Sequence, residues 1–189
     1  MEAPDDDLEF IRAATSVLVS LAFFEHGEAA SKLTTENIQV SYNSIHLAVT
    51  LRKGKTRVAH TLTYKRNPNF KTSLIDLVLR YNKLRRSTAT ISNYYWALPG
   101  NRHTPTARHI TMWLQFCLQR INVQPTPQVV WSSHSLRQAA ASESAAIGVQ
   151  EYRIVSWGDW TSARTFRESY LDGRVQACED SYFFFGHLL

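Results

Sequence analysis

The feature that most constrains the fold is a switch in hydrophobic period between residues 37 and 64. Apolar and polar residues alternate along 38–42 and again along 45–51, and β-forming residues continue beyond. A period of two is typical of strands with one buried face, and residues 43–44 and 53–55 have turn chemistry. The pattern predicts a three-stranded antiparallel meander.

Apolar residues recur at helical spacing on both sides of this meander. For the helix after residue 104, the order of Thr104 and Pro105 predicts Thr104 as the cap and Pro105 in the first turn. The stretch 91–104 is expected to form a short strand or an extended segment. The predicted fold class is α+β, mainly α with a small three-stranded antiparallel sheet, in one domain spanning residues 1–189. The predicted helices span residues 5–24, 72–86, 105–121, 132–148 and 149–157, followed by one that begins at Thr161 or Ser162.

The positive charge of the chain is concentrated in one stretch. The net charge is +5, and residues 52–86 contain eleven lysines and arginines but a single acidic residue, Asp76. Such a basic stripe indicates a polyanionic partner. The alternative is a solvated face that only keeps the protein soluble.

Other composition signals exclude several classes of protein. Cys117 and Cys178 are the only cysteines, they are far apart, and neither has a histidine at ligand spacing, so neither a disulfide framework nor a zinc site is expected. The acidic N-terminus does not match a signal peptide. The apolar run near 17–24 is too short to cross a bilayer, so no membrane partner is expected. An intracellular protein is predicted.

Residues 131–171 carry the chemistry. Ser132 or Ser133 can cap a helix whose first turn places His134 and Arg137 on one face. A guanidinium fork binds two phosphate oxygens, and an imidazole donates a hydrogen bond or moves a proton. Downstream lie a Gly158-Asp159-Trp160 turn and a tyrosine, with Tyr170 on the third helix or just beyond it. This set of groups can attack a phosphodiester without a metal.

The spacing of these residues resembles the C-terminal catalytic motif of the tyrosine recombinases, the phage-integrase family. That motif is H-x-x-R, a helix ending in Gly followed closely by His or Trp, and a nucleophilic Tyr. Here it matches His134 with Arg137, Gly158 with Trp160, and Tyr170, one residue further on than is usual. The resemblance spans about residues 8 to 175. Trp in place of His and the Tyr-Leu-Asp sequence are similar to recombinases of eukaryotic mobile elements of the Crypton kind.

The resemblance implies a role for each residue. Tyr170 is the nucleophile that forms a 3′-phosphotyrosine, and Arg137 and His134 stabilise the transition state. Trp160 packs and donates toward the phosphate. The Leu51–Thr56 sequence is similar to the family's hairpin-lysine region, which indicates Lys55 as general acid, with Lys53 as the alternative.

One departure from the family pattern concerns its first arginine, in the form R-x-x-E. The equivalent position falls at Glu25 or His26, with Glu28 in the acidic role, and no arginine lies between Arg12 and Arg52. Losing one such electrostatic donor costs roughly 10²–10³ in rate. Cleavage is therefore expected to be impaired.

The resemblance also implies partners. Double-stranded DNA is the expected partner, bound by an oligomer, a dimer or tetramer. No metal and no cofactor are expected. The apolar tail 176–189 is expected to dock on its own core or on a neighbouring protomer, and no N-terminal DNA-clamp domain is expected. The protein should be nuclear if its host is a eukaryote. The predicted DNA-binding residues are Arg52, Lys53, Arg57, Lys65 and Arg66.

Three functions remain open from the sequence. The first is DNA integration or site-specific recombination by strand cleavage and rejoining. The second is a degenerate or domesticated recombinase domain that binds DNA without cutting it. The third is an unrelated helical adaptor whose basic stripe contacts protein, which predicts no ordered cluster around Tyr170.

Overall fold

The computed structural model describes residues 8–23, 27–53, 56–66, 73–87, 93–97, 104–124 and 131–170, and side chains within these ranges except those of 48–60. The described backbone forms helices and one small sheet, which confirms the predicted α+β class. In chain order the elements are α1 (Leu8–Ala22), α2 (Gly27–Ser31), a 3-10 turn (Thr35–Asn37), β1 (Ile38–Val40), β2 (Ser44–Lys53), β3 (Thr56–Lys65), α3 (Leu74–Ser87), α4 (Ala107–Arg120), α5 (Ser133–Ala146), α6 (Glu151–Trp157) and α7 (Ala163–Ser169).

The three strands form the predicted meander, with β2 between β1 and β3 and both pairings antiparallel. Ile45 and Leu47 are fully buried, whereas His46 between them lies on the polar face. There the His46 ring is hydrogen-bonded to the hydroxyls of Ser44 and Thr63. The alternation in the sequence therefore corresponds to one apolar face packed on the helices and one polar face.

Helix α1 lies at the centre of the helical layer and packs against α2, α3, α4 and α5. Its buried hydroxyls bond to the backbone of the same helix: Ser16 donates to the carbonyl of Ala13, and Ser20 donates to the carbonyl of Ser16. Such bonds let α1 bury polar as well as apolar residues. Gly27 begins a separate helix, and residues 5–7 and 24, at the two ends of the predicted helix 5–24, lie outside the described residues.

An aromatic cluster joins α3 to the connection that follows it. The Tyr81 hydroxyl donates to the carbonyl of Tyr95 at 2.8 Å, and the indole of Trp96 donates to the carbonyl of Ala30 at 2.8 Å. Burial raises the pKa of Tyr81 to about 12, so it remains a neutral donor. Of the stretch predicted as extended, residue 94 makes a single bridge with Thr34 before the chain turns.

The predicted start of α4 is wrong by two residues. Thr106 is the cap and the helix begins at Ala107, so Thr104 and Pro105 precede it. The reason is a competing local bond, because the His109 ring accepts the Thr106 amide at 3.0 Å. The side chain three residues beyond the cap thus determines where the helix begins.

Candidate active site

The first turn of α5 is fixed by its cap and by α4. The Ser132 hydroxyl accepts the amide of Ser135, which confirms Ser132 as the cap. The Ser133 amide donates to the Thr111 hydroxyl of α4 at 3.0 Å. The next residue, His134, is exposed, whereas Arg137 one turn later is only 4% exposed. This helix start therefore presents an imidazole to solvent above a buried guanidinium.

Two groups orient the buried guanidinium. Arg137 Nη2 donates to the carbonyl of Gly158, and its guanidinium carbon lies 4.1 Å from the ring centroid of Trp160. A guanidinium stacked on an indole and bonded at its edge has few rotamers left. Arg137 is therefore held in one orientation before any ligand binds.

The turn that supplies both contacts depends on a glycine. A Cβ on Gly158 would lie 1.8 Å from Cζ3 of Trp160, so the indole rests on the glycine backbone. The next residue, Asp159, has φ of 50°, a conformation that Asn and Asp tolerate better than most residues. The chain folds back here, and the Trp160 amide bonds to the carbonyl of Val155 at 3.1 Å.

Helix α7 delivers the tyrosine. Ser162 caps it by accepting the amide of Thr165 at 3.1 Å, and Phe166 packs edge-on to Trp160 with ring centroids 5.3 Å apart. Tyr170 is the residue that ends the helix. Its ring is 9% exposed and lies 5.0 Å from the His134 ring, 4.8 Å from the Trp160 ring and 5.4 Å from the Arg137 guanidinium. The structure thus brings together four of the predicted catalytic side chains.

Sequence reasoning missed two interactions that hold α7. The Ser142 hydroxyl of α5 donates to the carbonyl of Tyr170 at 2.9 Å. On the surface, Arg167 of α7 makes two hydrogen bonds, 2.7 and 2.9 Å long, to the Glu151 carboxylate of α6. No local sequence pattern marks either pair, because 28 and 16 residues separate the partners.

The predicted general acid and the first-arginine position lie outside the described residues. This applies to Lys55, Glu25 and His26. Gly27, which follows His26 directly, is nevertheless placed: a Cβ there would lie 2.3 Å from the Cβ of Ser133. The start of α2 therefore abuts the start of α5, beside the residue that precedes His134.

Glu28 has a surface position in the described structure. Its side chain is exposed and pairs with Lys32 one turn along α2, at 2.6 Å. The hydrogen bond from Lys32 lowers the pKa of Glu28. The structure therefore places this predicted acidic residue in a local ion pair, and its catalytic role stays a prediction.

Three of the predicted DNA-binding residues are placed only by their backbone. Arg52 pairs with Arg57, and Lys53 pairs with Thr56, at the end of the β2–β3 ladder. This end of the hairpin therefore carries three basic residues within two facing pairs.

The other two predicted DNA-binding residues end or follow β3, and they differ from each other. Lys65 is exposed. Arg66 makes two hydrogen bonds to the Asp76 carboxylate, 2.8 and 2.7 Å long, and its guanidinium lies 4.7 Å from the ring centroid of Tyr42. The bonds from Arg66, supplemented by Ser73, hold the pKa of Asp76 well below its usual range. Arg66 thus joins the sheet to α3 whether or not it also contacts DNA.

Two kinds of feature are absent from the described residues. Within them, no three or more His, Cys, Asp or Glu side chains come together as metal ligands could. No helix in the same ranges combines the length and apolarity needed to span a membrane.

Comparison with solved structures defines the class of fold, which is that of tyrosine recombinase catalytic domains. The chain is similar to XerH site-specific recombinase in a post-cleavage complex with palindromic difH substrate, at TM-score 0.66 and 11% identity over 88% of this chain. It is similar to the same recombinase in a pre-cleavage complex, at TM-score 0.66 and 12% identity over 94% of this chain. XerA recombinase matches at TM-score 0.60 and 16% identity over 93% of this chain.

These matches cover only 43%, 47% and 62% of the three neighbours, so the chain spans roughly half the length of XerH. No family model and no curated protein matches the sequence. At this level of identity, the likeness concerns the fold.

Proposed function

We propose that the protein cleaves and rejoins DNA strands through a covalent 3′-phosphotyrosine. The observation that carries this proposal is the packing of the Tyr170 ring on His134, Trp160 and the Arg137 guanidinium, all within 5.4 Å. A phenol, a guanidinium and an imidazole around one point are the groups that transesterification at phosphorus needs. The fold supports the same function, because XerH was captured on its difH substrate before and after cleavage.

The proposed reaction balances without a metal or an added energy source. The Tyr170 oxygen attacks the scissile phosphorus and gives its proton to solvent water, while the bond from phosphorus to the 5′-oxygen breaks. Lys55 donates a proton to the departing 5′-oxygen. A 5′-hydroxyl of a partner strand then attacks the phosphotyrosine, which restores the phosphodiester and the free phenol.

The described geometry indicates how the transition state would be stabilised. Arg137 is already oriented by Gly158 and Trp160, so little reorganisation is needed when charge develops on the phosphoryl oxygens. His134 is the exposed member of the cluster, whereas Arg137 and Tyr170 are buried. We therefore propose that the phosphate approaches from the His134 side.

A second candidate is a domain that binds DNA without cutting it. The observation that favours it is the sequence Glu25-His26 at the position of the family's first arginine. A glutamate there repels a phosphate, and a histidine carries charge only on the acidic side of neutrality. The expected cost is roughly 10²–10³ in cleavage rate. The cleavage rate that remains after this loss distinguishes a slow enzyme from a domain that only binds DNA.

The test must also find a substrate, so it begins with a pool of nicked duplexes randomised around the nick. A nick next to the cleavage site lets a short strand diffuse away and traps the covalent complex. Adducts that survive detergent are isolated and their DNA is sequenced. Tyr170→Phe should abolish the adducts, while Tyr152→Phe, which alters a tyrosine on α6 that is 65% exposed, should leave them intact. DNA retention by the wild type without any adduct would instead support the binding module.

The general acid can be identified on a duplex selected in this way. Lys55→Ala should slow cleavage of a normal phosphodiester much more than that of a 5′-bridging phosphorothiolate. A thiolate leaves without protonation, so the modified duplex no longer needs the acid. Lys53→Ala should slow both duplexes equally. The reverse pattern would assign the role to Lys53.

Phosphate contacts should dominate the affinity for DNA. Log affinity should fall with log salt at about −0.9 per phosphate contact, so replacing one contacting lysine lowers that slope by about one. Lys65→Gln is the cleanest variant, because Lys65 is exposed and ends β3. An unchanged slope would remove Lys65 from the DNA interface.

Three finer assignments belong to the same proposal. We propose that the protein acts as a dimer or tetramer on DNA, that its reaction integrates a mobile element of the Crypton kind, and that it works in a eukaryotic nucleus. They are supported by the motif resemblance described above. Light scattering of the complex with a selected duplex tests the first, and a single protomer bound per duplex would reject it.

A further inference from the structure

The main chain of Tyr170 is anchored to the helix that carries the histidine and arginine of the site. Its carbonyl accepts a hydrogen bond from the Ser142 hydroxyl at 2.9 Å, and Ser142 is only 3% exposed. The Tyr170 amide bonds back to the carbonyl of Phe166 at 2.9 Å. Carbonyls at the end of a helix have no intrahelical partner, and a buried one needs another donor. Ser142 supplies that donor from α5.

The position of this hydrogen bond along α5 relates it to the candidate active site. Ser142 follows His134 by eight residues, which is about 12 Å along a helix. The main chain of Tyr170 lies at the Ser142 level, while its ring lies 5.0 Å from the His134 ring. Tyr170 therefore runs beside α5 from its backbone anchor to its side-chain contacts. One rigid helix holds His134, Arg137 and the anchor, so it sets the distances among them and Tyr170.

We infer that Ser142 is a positioning residue for the attacking tyrosine. The inference rests on the proposed function, because it takes Tyr170 as the nucleophile. Without the bond, the described residues hold the Tyr170 backbone through its amide bond to Phe166 in the short helix α7, so this backbone can shift relative to Arg137. A misplacement of about 1 Å in a reacting group costs on the order of 10²-fold in rate. Ser142 is only 3% exposed, so it should not contact the phosphate, and DNA affinity should be unaffected.

The first experiment uses the full chain and a duplex selected from the nicked pool. Ser142→Ala removes the donor, Ser142→Thr keeps it, and Ser144→Ala is the matched control on the same helix. We expect Ser142→Ala to lower the single-turnover cleavage rate at least tenfold at saturating DNA, with the dissociation constant unchanged. Ser142→Thr should recover most of the rate if its thermal midpoint matches that of the wild type.

Two outcomes would overturn the inference. One is a cleavage rate for Ser142→Ala equal to that of Ser144→Ala. The other is a rate loss that disappears when each variant is assayed at a temperature the same number of degrees below its own thermal midpoint. That result would assign Ser142 to overall stability. A wild type that forms no adduct would reject the proposed function itself, and the catalytic meaning of Ser142 with it.

A second experiment tests the Ser142 hydrogen bond without DNA cleavage. It therefore distinguishes failure of this inference from failure of the proposed function. Chymotrypsin cleaves after aromatic residues, and the bond after Tyr170 needs local release of a side chain that is 9% exposed. Loss of the Ser142 hydroxyl should speed this cleavage severalfold, with no change at the exposed Tyr152. Equal cleavage in Ser142→Ala and wild type would reject the anchor, whatever the protein does to DNA.

Discussion

Gly158→Ala should damage the site through one added carbon. The new Cβ would lie 1.8, 2.3 and 2.5 Å from three carbons of the Trp160 indole. Carbon atoms in contact sit about 3.5–4.0 Å apart, so the indole must retreat by roughly 1.5–2 Å. The φ of Gly158 is −84°, which suits alanine, so the effect of the substitution is steric. Overpacking of this kind costs about 1–3 kcal/mol of folding stability.

The displaced indole should also change catalysis. Trp160 lies 4.1 Å from the Arg137 guanidinium and 4.8 Å from the Tyr170 ring, so both lose their packing partner when it moves. A shift of this size predicts a loss of about 10²-fold or more in single-turnover cleavage. The adduct-forming duplex supplies the assay, and calorimetry supplies the stability.

Gly148→Ala is the control for this prediction. Gly148 has φ of 84° and nothing within 4 Å of a built Cβ, so alanine there adds backbone strain without a clash. It should cost about 1–2 kcal/mol of stability and leave cleavage unchanged. The reasoning would be refuted if Gly158→Ala cleaved at the wild-type rate, or if both variants lost activity in proportion to their lost stability.

Three further predictions concern stability. The pKa of Asp76 is depressed in the folded state by Arg66, so its contribution to stability is complete above about pH 4 and shrinks as the pH falls toward the depressed folded-state pKa. Asp76→Asn should therefore lower the thermal midpoint at pH 7 and lower it less at pH 2. Ser132→Ala removes the cap of α5 and should cost about 1 kcal/mol in urea unfolding. Gly27→Ala places a Cβ 2.3 Å from Ser133, so it should cost about 1–3 kcal/mol of folding stability and slow cleavage. Unchanged urea midpoints would contradict the predictions for Ser132→Ala and Gly27→Ala.

Much of the fold could be predicted because its signals are local. The alternation over residues 38–51 determines which side chains face the helices, and the structure buries Ile45 and Leu47 accordingly. Residue type limited the cap of α5 to Ser132 or Ser133, and the structure uses Ser132. The start of α4 was not, because two capping patterns overlap there and the His109 ring selects Thr106. A choice between neighbouring caps depends on such side-chain bonds, which residue preferences do not contain.

The candidate site was likewise predictable from the sequence only in part. Residues 134, 137, 158, 160 and 170 form a short motif because they lie on, or just after, three consecutive helices, so their spacing is visible in the sequence. The reason for the glycine was not visible. It accommodates the indole of a residue two positions later, and the unusual backbone conformation is at Asp159 instead. The anchor at Ser142 was also hidden, because a buried serine in an alanine-rich helix resembles a packing residue.

The residues of the proposed site come from separate segments of the chain, and this has a consequence for the activity. The half of the proposed site that holds the nucleophile is complete within residues 132–170, on elements that contact one another directly. The other proposed groups, at 25–28 and 53–55, come from chain segments that lie between α1 and α5 in sequence. Among the described residues, Gly27 abuts Ser133 of α5, and α1 packs on both α2 and α5. Core substitutions in α1 that shift this packing should therefore slow cleavage while leaving the Tyr170 cluster, and its resistance to chymotrypsin, intact.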